Sequence, residues 1–129
     1  MAGVIADATD VFKIALYNGS GHGVNTAAFT TVNESSGTGY TTGGNTLGSF
    51  AKATDTSNNV AYWDWADSSW ATSTVTSTDC MIYDDTVAAP TANVACYIGD
   101  YGGSRSSSAG TFSIIMPAAA ASTAIVRLA

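Results

Sequence analysis

The sequence is short of the residues that build helices. Among its 129 residues there are two Lys, two Arg, one Glu and no Gln. A surface helix needs long polar side chains on its wet face, so helical architectures are disfavoured. Basic charge is equally scarce. Four basic residues against ten acidic ones give a net charge of −6. A protein that binds nucleic acid through phosphate contacts needs a basic face, and this chain has no material for one. No run of 18 or more apolar residues occurs, which excludes a helical membrane span. The first residues lack the basic-then-apolar pattern of a signal peptide. Two cysteines are too few for a disulfide framework.

What is abundant points to strands and turns. There are 22 Ala, 18 Thr, 15 Ser, 13 Gly and 7 Asn, with thirteen aromatics among them. Thr and the aromatics favour pleated surfaces, while Ser, Gly and Asn favour turns. The expected fold is all-β: a single-domain antiparallel β-sandwich or barrel of about seven strands, with an N-terminal arm and long loops. Residues 1–10 read as the arm and 11–129 as the β domain. At this length a folded surface of about 6,400 Å² is expected against about 19,000 Å² unfolded, enough for a real core.

Along the chain, residues 11–17 form the first strand, with Phe12, Ile14 and Leu16 alternating onto one face. Residues 18–23 are a turn cluster opened by Asn-Gly. Residues 24–44 are long and weakly periodic, which makes them the first candidate contact surface. Further strands are expected at 45–53 and 60–65, with a corner at 66–71 carrying Trp70. A long β-prone run covers 72–83, and 93–98 returns from it as a hairpin. Centred near Ala88, that hairpin places Cys80 opposite Cys96 and Ile82 opposite Val94, with Ile98 on the same face. A Gly/Ser-rich loop spans 99–110, followed by strands at 111–116 and 123–128.

No arrangement supports catalysis, a metal or a cofactor. His22 stands alone between glycines, where it reads as an exposed turn residue that no scaffold positions. One His and two distant Cys match no zinc spacing. The pairs Asp84–Asp85 and Asp64/Asp67 read as turn and corner residues, because no alternating Asp/Asn calcium pattern surrounds them. The glycine runs lack the Lys of a phosphate loop. Cys80 and Cys96 read as a pair of buried thiols, with a disulfide as the alternative. Trp63 and Trp65 read as core; Trp70 is open to either a core or a surface role.

The layout of certain segments resembles a known group. F-K-I-A-L-Y from Phe12 is followed by E-S-S-G-T-G-Y-T-T-G-G from Glu34. Later come W-A-D-S-S-W-A, M-I-Y-D-D-T and the tail from Phe112 to the end. Over nearly the whole chain this is similar to small tailed-bacteriophage virion proteins encoded near the head genes. The resemblance implies a capsid decoration, or cement, protein on the outer face of the head shell. Such a protein binds the major capsid protein lattice, self-associates as a trimer or dimer, and is assembled in the host cytoplasm. It carries no catalytic residue or cofactor and contacts neither nucleic acid nor membrane. A tail or head-fibre component, or a receptor- or glycan-binding domain, is the alternative. The candidate interface residues are Phe29, Glu34, Tyr40, Asn45 and Arg105.

Overall fold

The computed structural model describes residues 9–128 apart from 20 and 24. The expected arm therefore lies almost entirely outside the described residues. The described chain is all-β. Its nine strands are β1 (Phe12–Tyr17), β2 (Asn45–Thr46), β3 (Ala51–Asp55), β4 (Val60–Asp64), β5 (Ser68–Ser73), β6 (Thr76–Asp84), β7 (Ala95–Ser106), β8 (Gly110–Ile114) and β9 (Val126–Leu128). They form three antiparallel sheets in the orders β2-β1-β6-β7, β3-β4-β9 and β5-β8. Each sheet is open, so the architecture is sandwich-like and not a closed barrel.

The β1–β6 ladder is the spine. Phe12 pairs with Asp84, Ile14 with Ile82 and Tyr17 with Asp79. Period-2 alternation sends Phe12, Ile14, Leu16, Cys80 and Ile82 inward. There they meet Trp63 and Trp65 near the second sheet, and Trp70 and Phe112 of the third. Phe12 packs edge-on against Trp65, with centroids 5.2 Å apart at 64°. The opposite face carries Ala15, Tyr17, Met81 and Tyr83, covered by Phe29, Ala95 and Ile98. Both faces of the spine are thus buried, which explains its continuous apolar reading. The folded surface is 6838 Å², close to the size expected for a single packed core.

Glycine decides one close approach. Gly44 has φ +74°, and a Cβ there would lie 1.8 Å from the Ile14 carbonyl oxygen. Only glycine lets the chain pass this close to β1 and enter β2.

Several expected elements are placed differently. The 45–53 strand is two strands, β2 and β3, with Ser49 at φ 54° between them. The corner at 66–71 is largely β5, in which Trp70 pairs with Phe112. The 72–83 run divides at residues 74–75, where the chain passes from the third sheet to the first, just after Thr72 takes φ 50° at an irregularity within β5. Most of the 99–110 loop is strand: Ser106 and Arg105 pair with Thr76 and Ser77, and the intervening glycines form a bulge. The hairpin register is also shifted. Cys80 lies opposite Gly99 and Ile82 opposite Tyr97. Asn93, at φ 52°, donates its N–H to the Val87 carbonyl and holds a wider turn than expected. Cys96 is then the extra residue between the Ile82–Tyr97 and Tyr83–Ala95 pairs. That bulge rotates Ile98 to the outer face beside Met81.

Candidate functional site

Four of the five interface residues expected from sequence are tied into the chain itself. Phe29 stacks on Tyr83, centroids 4.6 Å apart at 23°. Glu34 Oε1 accepts the Tyr40 hydroxyl at 2.8 Å and the Gly43 N–H at 2.6 Å. The Tyr40 oxygen in turn accepts the Leu16 N–H at 3.0 Å. Burial, with the Glu34 carboxylate beside it, pushes the Tyr40 phenol well above its ordinary range. Asn45 Nδ2 donates to Ser68 Oγ at 3.2 Å and to the Ser69 carbonyl at 2.9 Å, joining β2 to β5. The long 24–44 segment is therefore in large part a cover for the spine.

His22 is not exposed. Its side chain is 4% accessible, and its ring lies 4.0 Å from the Tyr17 ring. The turn folds back onto Tyr17, and His22 Nδ1 sits 3.3 Å from Asp79 Oδ2. Asp79 Oδ1 accepts the Thr78 hydroxyl at 2.7 Å. Cys96 lines the same hollow as His22, of about 380 Å³. Its sulfur faces the Val94 carbonyl at 3.7 Å, and burial pushes its thiol up to about 11. A protonated thiol aimed at a carbonyl is not a nucleophile–base pair.

The acidic pairs hold turns. Asp64 Oδ1 accepts the Trp65 N–H at 2.9 Å and Asp67 Oδ1 the Met116 N–H at 2.7 Å. Asp84 Oδ1 accepts the Thr86 N–H at 2.9 Å, while Asp85 pairs with Lys13 at 2.9 Å. Among the described residues no three His, Cys, Asp or Glu side chains converge to hold a metal. No helix among them is long and apolar enough to cross a membrane. Trp65 and Trp70 are 4% and 3% exposed, so neither offers a stacking face to a glycan.

Arg105 stands apart from the other four. It is exposed on β7, at a cleft of about 710 Å³ that opens between β7, β8 and residues 115–125. The walls are mixed. Tyr97, Tyr101 and Phe112 supply rings, Ile114 and Met116 supply aliphatic surface, and Asp100 and Arg105 supply charge. Ile115 at the rim is 71% exposed. The Tyr101 hydroxyl is turned inward to Ser77 Oγ at 3.3 Å. Two edge strands flank this cleft: β7 ends the first sheet and β8 ends the third. They follow each other in sequence yet do not pair, and the cleft is the space their divergence leaves. Its size is that of a ligand site. The sequence signal for it was faint, because an exposed, bulged edge strand rich in Gly and Ser reads as a loop.

Compared with family models, curated proteins and solved structures, the chain matches none.

Proposed function

We propose that this chain is a structural subunit of a bacteriophage particle: a decoration protein that docks on the major capsid protein lattice and braces the outer face of the head shell. The observation that carries the reading is the cleft between the β7 and β8 edges. It is a concavity suited to a partner's backbone. The sequence resemblance supplies the particle. Repetition of the shell multiplies modest contacts, so a small docking surface suffices. Self-association as a closed trimer or dimer belongs to the same proposal.

The experiment is a copy count. Particles from the source are purified, and this chain is measured against the major capsid protein by quantitative densitometry. A ratio near unity, or a simple fraction of it, is expected for a subunit that repeats with the lattice. A ratio of a few copies per particle assigns the chain to the tail or a unique vertex, and complete absence overturns the virion reading.

A further inference from the structure

Asp79 and Asp100 stand directly opposite each other in the β6–β7 ladder, and Tyr17 pairs with Asp79 from the other side. Direct cross-strand partners share a face with Cβ atoms about 5 Å apart, where like charges repel. The row Tyr17–Asp79–Asp100 therefore crosses three strands on the outer face of the spine, and two of its three members are acids. Asp100 is at the surface, but Asp79 is 7% exposed, so water relieves little of the repulsion on its side.

The chain sets its only histidine over this row. The His22 ring lies 4.0 Å from the Tyr17 ring, its Nδ1 is 3.3 Å from Asp79 Oδ2, and it lines one hollow with Asp100. Nδ1 is buried and makes no hydrogen bond among the described residues. A neutral imidazole thus gains little from the carboxylate beside it. An imidazolium gains an ion pair with Asp79 and offsets the charge of Asp100. The same carboxylate also holds the chain ahead of His22: Asp79 Oδ1 accepts the Thr78 hydroxyl at 2.7 Å, and Thr78 Oγ1 accepts the Gly19 N–H at 3.1 Å. Beyond His22, the Ala27 carbonyl accepts the Ala95 N–H and the Phe29 N–H donates to the Asn93 carbonyl, each at 2.9 Å.

The other groups that face His22 do not change charge near neutrality. Burial pushes the Tyr17 and Tyr97 phenols up, and the Cys96 thiol up to about 11. Asp79, Asp100 and, beyond Tyr17, Glu34 are carboxylates. Histidine is the side chain that gains and loses its charge between about pH 5 and 8.

We infer that His22, Asp79 and Asp100 form a proton-operated clasp: a proton on His22 fastens Gly19, His22 and residues 27–29 to the β6–β7 sheet, and its loss loosens them while the β1–β6 spine stays closed. The clasp works with or without a docking partner. The proton is bound where the clasp is shut and released where it opens, so its contribution is full near about pH 5 and fades toward about pH 8.

The test is amide hydrogen exchange on the full, isotopically labelled chain at about pH 5 and 8, each rate corrected for the intrinsic pH dependence of exchange. Gly19, Phe29 and Ala95 report on the clasp, through the bonds named above. Ala15 and Met81, paired at the centre of the spine, are the reference. From the lower to the higher pH, protection at the three clasp amides is expected to fall about fivefold more than at the reference pair. His22→Gln cannot take up a proton and is expected to remove this excess. Asp84 titrates alike in both proteins, so their difference isolates the imidazole. Asp100→Asn, at an exposed position, is expected to keep the fold and shrink the excess. The His22 ring resonances are expected to share one pH midpoint with the three amides. An equal fall at clasp and spine, a change of opposite sign, an excess that persists in His22→Gln, or separate midpoints for ring and amides overturns the inference. Should His22→Gln fail to fold, an undiminished excess in Asp100→Asn overturns it.

Discussion

The Tyr40 hydroxyl joins Glu34 to the Leu16 N–H, with contacts of 2.8 and 3.0 Å. One side chain thus fastens the long segment after β1 to the middle of β1. Tyr40→Phe keeps the ring and removes both bonds. It leaves the Leu16 N–H and the Glu34 carboxylate each without this partner, and a loss of about 1–3 kcal/mol is expected. Urea unfolding measures it. An unchanged midpoint would mean that other contacts hold the segment.

Trp63 lies in β4 with its side chain in the shared core, beside Phe50 at a centroid distance of 6.5 Å. Trp63→Ala is expected to cost about 3–5 kcal/mol through lost burial and the cavity left behind. A loss under about 1 kcal/mol in the same unfolding assay would mean that β4 presents its other face to the core.

Asp84 is fully buried at the end of β6. Desolvation raises its carboxyl above the ordinary range; the Thr86 N–H works against this, and the charge of Asp10 adds to the rise. A carboxyl whose folded-state pKa exceeds its unfolded value holds its proton more tightly when folded. Its effect on stability is therefore most favourable at low pH. It worsens as pH climbs from about 4, the unfolded value, through the raised folded one. Asp84→Asn keeps an oxygen for the Thr86 N–H and cannot ionise. The variant is expected to gain stability over the parent at pH 7 and to lose that advantage near pH 4. Thermal melts across this range decide it, and parallel curves for the two proteins would dismiss the assignment.

Neither Cys80 nor Cys96 is in a disulfide, and burial pushes each thiol up to about 11. Native protein at pH 8 is expected to react slowly with a disulfide-exchange reagent such as DTNB, and to release two equivalents once unfolded in urea. Rapid titration of either thiol in the native state would contradict the described packing.

At Gly44 the backbone is left-handed, and an added Cβ would collide with main-chain atoms of β1. Gly44→Ala is expected to cost at least about 3 kcal/mol, since neither the φ nor the neighbouring carbonyl can relax cheaply. Circular dichroism and melting of the variant would show this as a large drop in midpoint. A drop of a few degrees would mean that β2 detaches without consequence.

Legibility in the sequence followed burial. The Phe12–Ile14–Leu16 alternation, the core placement of Trp63 and Trp65 and the all-β class rest on hydrophobic period and β propensity, and these survive in the fold. The hairpin register did not, because the bulge at Cys96 and the wider turn at Asn93 depend on backbone dihedrals that the side-chain pattern does not encode. Strand β7 was hidden for a related reason. Its outer residues face solvent or the cleft, so Gly and Ser serve where Val or Ile would mark a strand. His22 was misread because its burial comes from the ring of Tyr17 beneath it, a contact across a turn with no period to reveal it. Of the candidate interface, only Arg105 reached the cleft.

The β1–β6 ladder has a further consequence, for the order of events during folding. Residues 12–17 find their partners only at 79–84, so the spine closes a loop of more than sixty residues. Until Asp84 has left the ribosome, β1 has no central neighbour. Closure of so long a loop carries its entropy cost before the core rewards it, and folding by such non-local pairing falls in the millisecond-to-second range. The segment at 24–44 belongs to the same late step, because it covers a face that does not exist until β6 arrives. A nascent chain stopped before β6 has neither spine nor cover, and the native sheet assembles only once synthesis has passed the middle of the molecule.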